Sequence, residues 1–171
     1  MSYDIAKAFP IGSYRTSTDT SASGLLGTSV IYFSKTYRLV QNGVLDITSP
    51  SGKGVTTAFT AGVPTWVVAL PSASTGFGKA GVIPSDYGST TIPASAFFWI
   101  QTSGPSAVLA AATTTVSGVS LGLNTSGYAA VLATTVDAQA MAIGYIGYST
   151  NTAAATAAGL PITLILDGIV H

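Results

Sequence analysis

The sequence lacks several residue types on which ordinary enzyme chemistry depends. Its 171 residues contain no cysteine, and the single histidine, His171, is the last residue. The absence of cysteine excludes disulfides, thiolate metal sites and cysteine nucleophiles. The scarcity of histidine removes the commonest acid–base catalyst and metal ligand. We therefore predict no catalytic residue, no cofactor-binding residue and no metal site.

Charge is also scarce. Only 7% of the residues are charged, with six Lys and Arg against six acids that are all Asp, whereas an average domain has about 25%. The balanced net charge argues against a nucleic-acid partner, which requires a basic patch. The lack of glutamate weighs against a helical surface. Residues 87–136 carry no charge, which fits either a Ser/Thr-rich surface or one that a partner covers.

No hydrophobic run is long enough to cross a membrane as a helix. The mean hydropathy is +0.52, but a spanning helix needs about 20 consecutive apolar residues. The apolar stretches here are shorter and end at Gly, Pro, Thr or Ser. No N-terminal secretion signal is visible, because Asp4 follows directly on Met1-Ser2-Tyr3 and no apolar segment comes next. We therefore expect synthesis and use without secretion, and no membrane partner.

The residues that are present favour β structure. Segments rich in β-branched and aromatic residues alternate with turn signals every 8–12 residues, a spacing typical of a sandwich or barrel. We predict one all-β domain, a β-sandwich or β-barrel-like fold of β-tulip or jelly-roll type, with an extended N-terminal arm. The predicted strands are 30–40, 44–48, 55–60, 64–70, 96–101, 107–111, 116–123, 128–133 and 160–166.

Turn chemistry sets the expected boundaries between these strands. Asn42-Gly43 is a strong hairpin signal because both residues tolerate positive φ. Gly104-Pro105 and residues 124–127 are further predicted turns. Residues 71–91 contain two Pro and four Gly and predict a long loop, tethered by Phe77 and Tyr87.

Residues 1–24 are predicted to form the arm, and residues 25–171 the β-rich body. From Ser13 to Gly24 the chain is almost wholly Ser, Thr and small residues, too polar to order itself by burial. Aromatic residues are nevertheless spaced along it like anchors. It is either a frayed terminus or an arm that orders on a neighbouring subunit, and we expect the body to fold without it.

Three short motifs are explained by chance or by turns. Gly118-Val119-Ser120-Leu121-Gly122 matches a nucleophile-elbow pattern but lacks an α/β context and a histidine base. Residues 76–81 match Gly-x-Gly-x-x-Gly, yet Pro84 opposes the helix that a dinucleotide site requires. Asn124 begins a formal glycosylation sequon that is better explained as a turn. Trp66 and Trp99 lie inside predicted strands, so we expect them in the core rather than stacked on sugars.

Several stretches resemble small head proteins of tailed bacteriophages. Residues 98–108, Phe-Trp-Ile-Gln-Thr-Ser-Gly-Pro-Ser-Ala-Val, are similar to the aromatic-Trp-Val/Ile-Gln-Thr-x-Gly segment and following Ala-Val strand of capsid decoration (cement) proteins. Residues 32–43 resemble the N-terminal half of these proteins. Residues 121–128, 142–146 and 160–167 resemble their later strands, so that the resemblance covers residues 30–167.

The resemblance implies a structural virion protein on the outside of an icosahedral head, made in the host cytoplasm. Such proteins commonly sit as homotrimers and cement neighbouring major capsid subunits after the shell expands. The implied partners are the major capsid protein and further copies of this chain. The candidate capsid contacts lie in the arm: Tyr3, Phe9, Tyr14 and Arg15.

Other functions remain open at this point. A tail-tube subunit, a head fibre or a host-binding module would share the β-rich, weakly charged composition. A cellular β-sandwich adhesin and a hydrolase that uses Ser120 are further alternatives.

Overall fold

The computed structural model describes residues 9–60, 63–71, 78–111, 120–131, 147–150 and 157–166. Within them the chain is nearly all β, and the predicted all-β fold is confirmed. One short helix and one 3-10 turn, Ser85–Tyr87, accompany the strands. The elements are β1 Tyr14–Arg15, α1 Thr20–Gly24, β2 Ser29–Tyr32, β3 Lys35–Asn42, β4 Gly54–Thr60, β5 Val63–Ala69, β6 Gly78–Val82, β7 Phe97–Leu109, β8 Ser120–Leu123, β9 Ala129–Val131, β10 Gly147–Ser149 and β11 Pro161–Leu166.

Five strands pair in a closed ring, in the order β3, β5, β4, β6 and β7, with β7 returning to β3. The β3–β5 pairing is parallel and the other four are antiparallel. Alternation along the strands sends every second side chain inward. A buried cluster that includes Val40, Val68, Phe98 and Ile100 therefore fills the ring.

The long strand β7 continues out of this ring into a second group of strands. Its far half pairs with β11, and the order then runs β11, β10, β8 and β9. A parallel bridge between Ala110 and Ala129 links the end of β7 to β9. A second buried cluster, with Val108, Leu121 and Leu164 among its members, lies in this region.

The predicted turn at Gly104-Pro105 is wrong, because β7 runs through both residues. A bulge lies just before them: Thr36 of β3 is opposite Ser103 and Tyr37 is opposite Gln101, so Thr102 is the extra residue. The buried Gln101 side chain satisfies the bulge, since its Nε2 donates to the carbonyl oxygens of Ser103 and Pro105 at 3.1 and 2.9 Å. The strand thus continues through a Gly-Pro pair, and the Gln101 amide provides hydrogen bonds beside the bulge.

The predicted single strand 30–40 is wrong, because the chain turns within it and forms two strands. β2 and β3 form a hairpin whose two-residue turn is Phe33–Ser34. The predicted Asn42-Gly43 hairpin and return strand 44–48 are not formed; Ile47 makes one isolated bridge, to Ile92.

The predicted loop 71–91 contains β6 and the 3-10 turn within its described part. Tyr87 is a tether as predicted. Its Oη donates to the Ser13 carbonyl oxygen at 2.7 Å and accepts from the Trp99 N–H at 2.9 Å. Phe77 lies outside the described residues. The turn at residues 124–127 is confirmed by the Gly127 N–H, which donates to the Asn124 carbonyl oxygen at 2.9 Å.

Residues 9–24 of the predicted arm lie against this chain's own body. Asp19 caps α1, and its Oδ1 accepts hydrogen bonds from the N–H groups of Ser21 and Ala22 at 3.0 and 3.1 Å. Ala22 is buried in a third cluster on the outer face of β3 and β7, together with Leu39 and Trp99. Capping and a few apolar contacts therefore order a Ser/Thr-rich segment that its composition alone would leave unordered.

Among the described helical residues, none form a segment long and apolar enough to cross a membrane.

Candidate interaction surface

Phe9, one of the four predicted capsid contacts, lies in the core. Its side chain is 4% exposed, and its ring centroid is 5.8 Å from that of Trp99. The Trp99 indole Nε1–H also donates to the Phe9 carbonyl oxygen at 2.8 Å. A side chain packed in this way is not available to a second protein. Tyr3 lies outside the described residues.

Tyr14 and Arg15 form β1 and pair with the start of β7. Tyr14 is half-buried against the cluster inside the ring. The Arg15 guanidinium carbon lies 5.5 Å from the Phe9 ring centroid, and its Nε is 3.9 Å from an Asp19 carboxylate oxygen. Of the predicted contacts that the structure describes, Arg15 is the exposed one. Its contact with a capsid stays a prediction.

The most prominent exposed aromatic surface lies at the end of the β2–β3 hairpin, where the sequence predicted a continuous strand. We call residues 31–34 the hairpin tip. Ile31 and Phe33 are 75% and 80% exposed, and Tyr32 is 44% exposed. The rings of Tyr32 and Phe33 meet edge to face with centroids 4.4 Å apart. Aromatic side chains contribute most when an interface buries them, so this tip is the first candidate contact surface.

The backbone of the hairpin tip is strained. Phe33 and Ser34 have φ values of 46° and 61°, in the left-handed region, which costs a residue other than glycine about 1–3 kcal/mol. Two-residue hairpin turns of this kind favour Asn-Gly. The turn rests on the bulge of β7, where a Cβ on Gly104 would lie 2.6 Å from the Ser34 carbonyl oxygen. Phe33 is therefore an exposed aromatic residue at a strained position, which makes it a candidate contact residue.

β2 also has a free edge. Among the described strands it pairs only with β3. Two observations establish which backbone groups of β2 point toward β3. The turn has two residues, and the Leu39 N–H donates to the Thr28 carbonyl oxygen at 3.0 Å. By the antiparallel alternation, the N–H and C=O groups of Ser29 and Ile31 point away from β3. Four backbone groups therefore form an unpaired row beside the hairpin tip.

This edge carries none of the usual protection against pairing. Natural edge strands are commonly blunted by a charge, a proline or a bulge. β2 has the sequence Ser-Val-Ile-Tyr, which contains neither charge nor proline. Its pairing with β3 is regular over all four residues. Within the part of the chain that the structure describes, this edge can therefore take a further strand.

The two charges of the hairpin are both positive. Lys35 and Arg38 lie on β3, and neither forms an ion pair with a described residue. Arg38 is held in place: its Nε donates to Ser29 Oγ at 3.0 Å, and its guanidinium carbon lies 4.5 Å from the Trp66 ring centroid. Partial burial lowers the pKa of the Arg38 guanidinium from its ordinary value. Because they are three residues apart on one strand, Lys35 and Arg38 point to opposite faces of the hairpin. Each face therefore carries one cation without a carboxylate partner among the described residues.

A second exposed apolar pair follows β3. Val44 and Leu45 are 88% and 77% exposed, in a loop that Asn42 anchors. The buried Asn42 amide donates to the carbonyl oxygens of Leu45, Ile92 and Pro93 at 2.9, 3.2 and 2.8 Å. Val44 and Leu45 lie outside the described strands, so this loop offers apolar side chains but no strand edge of its own.

The described residues of the two sequence motifs lie on strands, and within this part of the chain they do not come together into a reaction centre. Ser120 belongs to strand β8 rather than to a strand–turn–helix elbow. Residues 78–81 of the Gly-x-Gly-x-x-Gly match lie on strand β6. No group of three or more His, Asp or Glu able to hold a metal occurs within the described ranges. His171 lies outside them.

The two tryptophans have different environments. Trp99 is fully buried, as predicted. Trp66 is half-buried on β5, between Arg38 and the backbone of Gly27, which approaches the indole too closely to carry a Cβ. Trp66 therefore supports the hairpin rather than lying inside a core cluster.

No family model, no curated protein and no solved structure matches this chain.

Proposed function

We propose that this chain is a structural virion protein that binds the outer surface of an icosahedral phage head and cements neighbouring major capsid subunits. The observation that carries the proposal is the hairpin tip, with Ile31 and Phe33 exposed at 75% and 80% beside an unprotected strand edge. Such a surface suits permanent contact with another protein. The resemblance of residues 30–167 to capsid decoration proteins supports the major capsid protein as that partner.

The low charge supports the same assignment. A formal net charge of +0 and 7% charged residues leave little repulsion to keep free copies apart in solution. A protein that works at high local density on a lattice can carry such a surface, because neighbouring subunits cover part of it. We therefore include a homotrimer in the proposal, seated where capsid subunits meet.

The mechanism is linkage between binding and shell stability. A protein that binds the assembled shell but not its dissociated subunits stabilises the shell by its binding free energy at every occupied site. At a free concentration of about 100 times Kd, each site contributes about 2.7 kcal/mol. Many modest contacts over one head then add up to a large barrier against loss of subunits.

Three measurements test the proposal. Light scattering on the purified chain across concentration is expected to give the mass of a trimer. Co-sedimentation with expanded heads of the virus that encodes the chain is expected to show saturable binding, and bound heads are expected to resist heat better than bare ones. Open-ended oligomers would indicate a tube or lattice subunit instead, and absence of binding to heads would overturn the proposal.

A further inference from the structure

The free edge of β2 has the hydrogen-bonding pattern of a strand that awaits a neighbour. Ser29 and Ile31 direct two N–H and two C=O groups outward, and within the described chain only β3 pairs with β2. A helix, a nucleic acid or a lipid surface cannot satisfy a row of alternating donors and acceptors at strand spacing. An extended polypeptide can, because each of its residues offers one donor and one acceptor.

The side chains beside the edge indicate which residue types that polypeptide should carry. Ile31 and Phe33 present apolar area on the strand and at the turn, so the incoming strand should carry apolar residues at alternate positions. Lys35 and Arg38 add two cations on the neighbouring strand without an acid to pair with. The incoming strand should therefore also carry at least one carboxylate.

A second copy of this chain fits the same edge less well. Two β2 strands could pair around Val30, which would match Ser29 of each with Ile31 of the other. However, β2 and β3 contain no acid, so such a pairing would leave Lys35 and Arg38 of both copies without carboxylates. Charge complementarity favours a different protein.

We propose that the β2–β3 hairpin docks on the shell by strand addition: an extended, apolar segment of the shell protein, carrying an Asp or Glu, pairs with Ser29 and Ile31 while Phe33 is buried beside it. This inference rests on the proposed function and assigns its contact surface. It also accounts for Phe33 and Ser34 at positive φ, because the strained turn holds the Phe side chain next to the open edge.

The first test separates folding from binding at the turn. The double variant Phe33→Asn with Ser34→Gly installs the pair that this turn geometry prefers, so its melting temperature should equal or exceed that of the wild type. Its binding to expanded heads in co-sedimentation should be weaker by about 30-fold, the size of loss expected when a central aromatic contact is removed. A merely structural residue would not give higher stability with lower affinity.

The second test addresses the backbone row. Ile31→Pro removes an N–H that points to solvent, and edge strands tolerate such a proline; Ile31→Thr removes similar apolar area but keeps the N–H. Head binding should fall further with Pro than with Thr. Val44→Ser with Leu45→Ser is the matched control, because it removes two equally exposed apolar side chains away from the edge and should leave binding unchanged.

The outcomes divide cleanly. If the Phe33→Asn with Ser34→Gly variant and the Ile31→Pro variant both bind heads as tightly as the wild type, strand addition is overturned. The proposed function is then unaffected. A wild-type chain that does not bind heads overturns the proposed function and this inference with it. If the wild type forms an oligomer and Ile31→Pro dissociates it, the edge pairs with a second copy of this chain. That result would overturn the inference of a different partner.

Discussion

The segment before β2 buries its Phe side chain, whereas the hairpin that follows it exposes one. Residues 9–26 are rich in Ser, Thr and Gly, yet they carry Phe9 into a buried contact with Trp99. The hairpin has the β-rich sequence typical of a core strand, yet Ile31 and Phe33 are exposed. Composition thus predicts whether a segment can be a strand, while the neighbours in space decide which of its side chains are covered.

This contrast also changes the expectation for the arm. Residues 9–24 cover the outer face of β3 and β7, where Leu39 and Trp99 lie. Removal of residues 1–24 would expose that face, so the truncated body should be less stable than the sequence suggested. The hairpin tip, in contrast, can be changed without uncovering a core cluster.

The largest expected difference between the two regions is in how much the free energy of unfolding falls when each Phe is replaced by Ala. Phe9→Ala should lower the free energy of unfolding by about 3–5 kcal/mol, because it leaves a cavity against Trp99. Phe33→Ala should change it by no more than about 0.5 kcal/mol, since its side chain touches solvent. Urea unfolding of both variants measures this, and equal losses would contradict the assignment of Phe9 to the core.

The next effect concerns Asn42, which fixes the loop after the hairpin. Asn42→Ala removes the donor that serves the carbonyl oxygens of Leu45, Ile92 and Pro93. Unsatisfied buried acceptors cost about 1–3 kcal/mol, so the unfolding free energy should fall by that amount. Asn42→Asp should fail to restore stability because a carboxylate donates no hydrogen bond at neutral pH. Wild-type stability in Asn42→Ala would show that the loop is held by other contacts.

A pH effect tests how the N-terminal segment is tied to β7. Burial raises the pKa of Tyr87 above its ordinary value of 10.0, and the charge of Asp86 adds to this. Since the folded state then keeps a proton that the unfolded state loses above pH 10, stability should decrease as the pH rises beyond that point. The slope from this one group is about 1.4 kcal/mol per pH unit.

The control for this pH effect is Tyr87→Phe. It should remove the contribution of Tyr87 from the slope and lower stability by about 1–3 kcal/mol at neutral pH, because the Trp99 N–H loses its acceptor. Chemical denaturation at pH 8 and between pH 10 and 11 measures both effects. An unchanged slope in the variant would assign the alkaline loss to other groups, Tyr37 among them, whose pKa burial also raises.

The smallest effect is expected at the hairpin turn. Phe33→Asn with Ser34→Gly should raise the unfolding free energy by about 1 kcal/mol, because both residues then accept the left-handed conformation more readily. Thermal melts compare it with Val44→Ser plus Leu45→Ser, which should leave stability unchanged. A destabilised turn variant would show that the Phe33 side chain contributes to folding after all.

Much of the strand content followed from local patterns. β4, β5 and β11 were predicted closely, because each is a run of β-branched and apolar residues between Gly or Pro signals. Trp99 was predicted in the core because it lies inside a predicted strand, and Tyr87 was predicted to tether a loop; both side chains are buried. The turn at residues 124–127 follows from Asn124, whose side chain accepts from the N–H groups of Ser126 and Tyr128.

The hairpin turn and the continuation of β7 were missed because Gly, Asn and Pro do not mark the turns there. Phe33–Ser34 turns the chain without Gly or Asn, and Gly104-Pro105 fails to turn it. Both depend on distant partners: Ser34 packs on Gly104, and Gln101 satisfies the bulge carbonyls. No window of local sequence contains these pairs.

Composition and alternation act locally along every segment, so they were enough to predict an all-β protein with little charge. Only the folded chain shows that Phe9 is buried, that Phe33 is exposed and that β2 pairs with no described strand other than β3. The physical reason is that burial and strand pairing are properties of pairs of segments. Their partners lie far apart in the chain, as Phe9 and Trp99 do, and only folding brings them together.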